Sequence, residues 1–171
     1  MSYILKLLKN NFLLTLLSFM KSKNWVNRQK NDQFVKKAKQ LGYINRAAFK
    51  LEEIEQKYKI IEHSREILEL GSSPGGWTQV ILNYNSKTNI TCFDLLDMKM
   101  NNQRIAFYRE DFLKYNFTNL KNKFDLVLSD VAPNTTGHQS TDHLRISQLI
   151  YEVIDRLETV SYTHLTLPTN A

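Results

Sequence analysis

Leu68-Glu69-Leu70-Gly71-Ser72-Ser73-Pro74-Gly75-Gly76-Trp77 decides how this chain folds. An apolar strand runs straight into a tight, glycine-bearing turn, and a helix follows. Ile67, Leu68 and Leu70 suit burial on a central strand, while Gly71, Gly75 and Gly76 let the backbone bend sharply and come close to a ligand. A dinucleotide-binding turn needs its second glycine two residues after the first, to admit a pyrophosphate. Here Ser72, Ser73 and Pro74 fill that interval. The turn favours a ligand without phosphate and argues against a nicotinamide-dependent oxidoreductase.

Upstream of the turn, Asp32 to Leu41 reads as a short basic helix with Lys36, Lys37 and Lys39 exposed and Gly42 as its C-cap. Asn45 is expected to cap a second helix. Its apolar positions Ala48, Leu51, Ile54 and Tyr58 recur at helical spacing, Glu52, Glu53 and Glu55 fall on the wet face, and Lys50 lies beside the apolar stripe. From there the period becomes that of strands, at Glu66 to Leu70, Asn89 to Phe93, Ile105 to Tyr108 and Phe124 to Leu128, with a helix from Gly76 to about Tyr84 after the first. Alternating strands and helices imply an α/β fold with a parallel sheet.

Composition sets the outer bounds. The 171 residues, 42% of them apolar, can bury one core. The formal charge is +6, and Lys6, Lys9, Lys21, Lys23, Arg28 and Lys30 all precede the first acid, Asp32. Such a field suits a polyanion. Cys92 is the only cysteine, which rules out an intrachain disulfide framework and a cysteine zinc site. Residues 1–23 form an acid-free, basic and apolar leader whose unbroken apolar run is too short to span a bilayer. It has the character of a mitochondrial presequence. No metal site and no membrane partner are expected.

Asp94, Asp111 and Asp130 stand at or just past the ends of three strands, along the sheet edge where open α/β folds bind ligands. Asp94 follows its strand by the interval of an acid that bonds ribose hydroxyls. Asp111 is suited to accept from an adenine amino group. Ser129-Asp130-Val131-Ala132-Pro133-Asn134 closes the fourth strand with an acid and a proline-stiffened turn, a rigid support for a residue aimed at a reaction centre.

Four ordered blocks now carry a resemblance: Asn45-Arg46-Ala47-Ala48-Phe49-Lys50-Leu51, the turn Leu70 to Trp77, Asp94-Leu95-Leu96, and Ser129 to Asn134. Together they resemble the FtsJ/RrmJ-type ribose 2′-O-methyltransferases, over roughly residues 24–158. Gly75-Gly76-Trp77, the Trp25 to Lys39 segment and Gly137 to His143 look most like the members that methylate a uridine of large-subunit ribosomal RNA, bacterial and mitochondrial alike. The resemblance implies a Rossmann-like fold, S-adenosylmethionine as methyl donor and ribosomal RNA as partner, with the enzyme acting as a monomer in a mitochondrion or a bacterial cytoplasm. It implies that Gly71, Gly75, Gly76 and Trp77 line the cofactor, Asp94 faces its ribose, Asp111 its adenine, and Asp130 lies near the sulfonium. The family's catalytic set is Lys-Asp-Lys-Glu, and Lys50 and Asp130 match its first two members.

The later members have no counterpart here, since no lysine follows Lys123. Residues 159–171 resemble a translated sequencing adapter rather than the glycine turn and strand of the family. The expectation is a truncated gene product lacking the C-terminal strands, with a non-native tail and an unprotected edge on the fourth strand. RNA contact falls to Arg28, Lys30, Lys36, Lys37, Lys39 and Arg46 at phosphates, with Trp25 or Tyr43 as a stacking ring. A competing reading from a different class is a catalytically silent RNA-binding or ribosome-assembly factor of the same fold.

Overall fold

The computed structural model describes residues 13–15, 32–120, 123–131 and 138–157. Its centre is a parallel sheet of β1 (Leu13–Thr15), β2 (Glu66–Leu70), β3 (Asn89–Phe93), β4 (Ile105–Tyr108) and β5 (Leu126–Ser129), in the order β1-β5-β2-β3-β4. The helices are α1 (Gln33–Gln40), α2 (Ala48–Tyr58), α3 (Gly76–Tyr84) and α4 (Gln139–Leu157), with a 3-10 turn at Phe117–Leu120. Among the described residues, no helix is long and apolar enough to cross a membrane.

Strand alternation divides the core between the two faces of the sheet. Ile67, Ile90, Cys92, Leu126 and Leu128 pack against Ala48, Leu51 and Ile54 of α2 and Trp77, Val80 and Ile81 of α3. Leu68, Leu70, Phe93 and Val127 meet Phe112, Phe117, Leu120, Phe124 and Val153 on the other face. β2 is central as expected, with Ile67, Leu68 and Leu70 fully buried. The register pairs Leu70 with Phe93 on one side and with Ser129 on the other. These three strands therefore end level with one another.

Asp32 caps α1, its carboxylate accepting from the Phe34 N–H at 2.8 Å, and Gly42 follows the helix at φ +75°, where a side chain would be strained. Three expectations need correction. Asn45 does not cap α2: its Oδ1 accepts from the Ala47 N–H at 3.1 Å, closing a turn ahead of the helix, and the Ala47 N-cap makes no side-chain bond. Glu55 is not on the wet face. The chain reverses after α2 through Lys59, at φ 50°, so the Ile61 and Glu62 N–H groups turn back toward the helix. The buried Glu55 carboxylate accepts from both, at 2.7 and 3.1 Å. The fourth predicted strand, β5, starts at Leu126 rather than Phe124 because the Asp125 carboxylate accepts from the Arg65 and Glu66 N–H groups instead of letting the chain run on as a ladder.

The β5 edge expected to be bare carries β1, paired in register Leu13 with Val127 and Thr15 with Ser129. Unpaired main-chain groups on a strand edge attract any extended segment within reach.

Glu55→Ala should cost roughly 2–3 kcal/mol, because the Ile61 N–H is left buried without an acceptor. Glu55→Gln should lose less, since its amide oxygen still accepts. The midpoints of urea denaturation would measure both.

Candidate active site

Three main-chain bonds set the geometry at the C-terminal edge of the sheet. Asp130 N–H donates to the Leu70 carbonyl (3.1 Å), Gly71 N–H to Phe93 (2.8 Å) and Asp94 N–H to Tyr108 (3.2 Å). Each is the parallel ladder carried one residue past the end of a strand. They set Asp130, the glycine turn and Asp94 side by side, and Asp111 follows just beyond β4.

Within the turn the Ser73–Pro74 peptide is cis, and Gly71 and Gly75 hold φ of +77° and +112°. A Cβ at Gly71 would press on the Asp130–Val131 backbone at 3.2–3.3 Å. At Gly75 it would meet Met100 Cγ at 2.9 Å, and at Gly76 it would collide with Asn45 Oδ1. The turn is thus packed tightly on its neighbours, as a backbone cradle requires.

Asp94 accepts from Ser73 N–H with Oδ2 and from Leu96 N–H with Oδ1, both at 2.8 Å. Each oxygen is fixed by one bond and keeps a further lone pair, which suits a pair of vicinal hydroxyls. Asp111 accepts from Leu113 N–H at 3.1 Å and is partly exposed. Its carboxylate has capacity left for an amino group. The acceptor set therefore fits the hydroxyl and amino groups of a nucleoside. Trp77 is another matter. Its indole is buried in the core and donates to the Ala47 carbonyl at 2.9 Å, so the side chain braces the turn against the Asn45–Ala47 segment and only its main chain belongs to the turn.

Lys50 and Asp130 are brought together from α2 and the end of β5, Nζ to Oδ1 at 3.2 Å. The Asp130 side chain is 18% exposed and that of Lys50 34%. Burial pushes the Asp130 carboxyl above its ordinary range, and the Lys50 charge and hydrogen bond pull it back. On the same sheet face lies a carboxyl that the sequence reading passed over. Glu69 is fully buried, accepts from Thr78 Oγ1 at 2.6 Å and has Cys92 Sγ at 3.7 Å. Burial raises it from 4.5 to about 8, against the lowering effect of those hydrogen bonds, and the Asp130 charge raises it further. Burial thus biases Glu69 toward the neutral acid. The signal was present in the sequence as an acid between two leucines in a strand whose other inner residues are apolar.

Of the basic residues expected to meet RNA, Lys36, Lys37 and Lys39 are exposed on α1. Arg46 pairs with Asp32. Arg28, Lys30 and Trp25 lie outside the described residues. Tyr43 is half-buried: its hydroxyl donates to Glu52, a bond that raises the phenol to about 12, and its ring packs edge-on to Phe49.

The FtsJ-like methyltransferase family model matches residues 43–160. The chain belongs to that family. Among curated relatives, the ribosomal RNA large subunit methyltransferase E of Bradyrhizobium diazoefficiens is 40% identical over 140 residues, covering 77% of this chain and 61% of the relative. That of Rickettsia bellii is 40% identical over 134 residues, covering 72% and 59%. The chain thus spans about six-tenths of the length of these relatives. A solved structure described as a ribosomal RNA methyltransferase of Plasmodium falciparum superposes with a TM-score of 0.60 at 27% identity, covering 70% of this chain and 72% of that one. The Rossmann-like expectation stands, and so does the resemblance drawn from the four sequence blocks. S-adenosylmethionine is the cofactor in general use by methyltransferases, and the carboxylate acceptors Asp94 and Asp111 of this FtsJ-like chain agree with it.

The neutral state of Glu69 yields a pH prediction. Its folded-state pKa lies above the unfolded one, so the native chain holds the extra proton between about pH 4.5 and 8. Stability from that proton is complete below the lower value and lost as pH rises through the upper. In urea titrations from pH 5 to 9, the wild-type chain should lose stability relative to Glu69→Gln until about pH 8 and then run parallel to it.

Proposed function

We propose that this chain belongs to an enzyme that methylates the 2′-oxygen of a uridine ribose in large-subunit ribosomal RNA. The observation that carries the reading is the Lys50–Asp130 pair, set beside the glycine turn at the same sheet edge as Asp94 and Asp111. The names of the relatives support ribosomal RNA as the substrate.

S-adenosylmethionine, when bound, supplies an activated methyl group. The chain's own residues do the rest. The backbone at Gly71, Gly75 and Gly76 cradles the cofactor, Asp94 takes the ribose hydroxyls, and Asp111 takes the adenine amino group. Trp77 holds the turn from behind. A ribose hydroxyl becomes a competent nucleophile only when its oxygen is aligned and its proton is led away. Lys50 Nζ donates to that oxygen and aligns it, Asp130 fixes the direction of Lys50 and balances its charge, and the hydroxyl proton passes to solvent as the methyl group is transferred. Glu69 stays neutral below them, so no second negative charge competes with Asp130 for Lys50.

Lys36, Lys37 and Lys39, with Arg28, Lys30 and Arg46, meet RNA phosphates, and the ribosomal RNA is presented within a large subunit to a monomeric enzyme. The bacterial relatives support a bacterial cytoplasm over the mitochondrial setting suggested by the leader.

The test supplies labelled S-adenosylmethionine and large ribosomal subunits lacking the modification, then scores alkali-resistant 2′-O-methylated dinucleotides. Wild-type protein should incorporate label, and Lys50→Ala should reduce transfer about 10²–10⁴-fold while binding the cofactor normally by calorimetry. A wild-type chain that binds RNA without transferring, and whose Lys50→Ala form changes only RNA affinity, would make the silent-binder reading correct.

A further inference from the structure

An aromatic ring stands at the surface where the RNA-facing helix meets the catalytic lysine's helix. Phe34, in the first turn of α1, is 50% exposed, whereas Ala38 on the same helix is 1% exposed. Its ring leans on Phe49, centroids 6.3 Å apart and tilted by 59°, and Phe49 immediately precedes Lys50. Lys37, one turn along from Phe34, holds its ammonium 5.4 Å from the Phe49 centroid. Tyr43 closes the group on the inner side, edge-on to Phe49 at 5.6 Å.

The position is electrically suited to one kind of guest. The Asp32 carboxylate bonds the Phe34 N–H and pairs with Arg46, so the one acid at this end of the helix is neutralised. α1 itself contains three lysines and no acid. A half-exposed ring that a second ring supports from behind, with a cation one turn away, suits a base stacked on the ring and a phosphate held by the cation. A peptide partner would gain little from this charge, and a membrane would need a broader apolar face.

We propose that Phe34, with Lys37 beside it, is a stacking platform for an unpaired base of the RNA strand that enters the Lys50–Asp130 site. This deepens the RNA-directed reading above and rests on it. Phe34 takes the role that the sequence suggested for Trp25 or Tyr43. Sequence-specific recognition of RNA works mainly through splayed, unstacked bases, and a ring one helix away from the reacting lysine can hold a neighbour of the target nucleotide out of its own stack.

The experiment measures binding of two short single-stranded RNAs by fluorescence anisotropy, one with its bases and one with the same backbone made abasic. Phe34→Leu should weaken binding of the base-bearing strand about tenfold and leave the abasic strand unchanged. Phe34→Tyr should restore the affinity, and Lys37→Met should weaken both strands and lower the salt dependence. If Phe34→Leu binds both strands like the wild type, the ring packs only against the chain itself and the platform is wrong, while RNA binding stands. Equal losses on both strands would show a structural role for the ring and reject stacking. Failure of the wild type to bind either strand would remove the RNA reading and the platform together.

Discussion

The continuation of the parallel ladder past the strand ends is the constraint on which the site depends. Asp130, Gly71 and Asp94 each donate a main-chain bond to the last carbonyl of a neighbouring strand, so the three loops leave the sheet from one line. Their side chains are then directed by strand alternation rather than by loop conformation. Asp130 comes out on the face covered by α2, which is why it meets Lys50, and Glu69 faces the same way two residues before the turn. A site built this way inherits the order of β2 and β5, whose residues next to the turn are buried.

The ionisable groups around Lys50 form a small local set. One ammonium, from Lys50, faces Asp130, while Glu69 stays buried with Thr78 and Cys92 around it. Ionising both carboxyls would leave a surplus negative charge in a region with little water. The protein avoids this by keeping the deeper acid protonated. Cys92 is held by the same burial as a neutral thiol, with Glu69 pushing in the same direction.

Much of this was legible in the sequence because it was written in local patterns. Strand period, turn glycines and acids after strands located β2, β3, β4, α3 and the row of carboxylates, and Lys50 followed from the family block around it. Contacts between distant segments were the illegible part. Glu55 looked like a solvated helix acid, yet the αL turn at Lys59 folds two N–H groups back onto it. Asn45 had the composition of a helix cap and became a packing partner of Gly76 instead. The Tyr43 hydroxyl found Glu52 as its acceptor, a pairing that no local pattern announced. In each case a polar group was captured by a partner whose closeness in space no periodicity encodes.

The junction between the turn and the Gly42–Ala47 segment has a consequence for how such a chain can diverge. Gln79 bonds the Ile44 N–H and the Gly42 carbonyl, Trp77 bonds the Ala47 carbonyl, and Asn45 fills the space above Gly76. A side chain at position 76 requires the Asn45 amide to swing aside or shorten, and either change gives up its bond to the Ala47 N–H. The effect of a substitution at one position thus depends on the residue at the other. Drift in the segment leading to Lys50 is coupled in this way to the glycine turn.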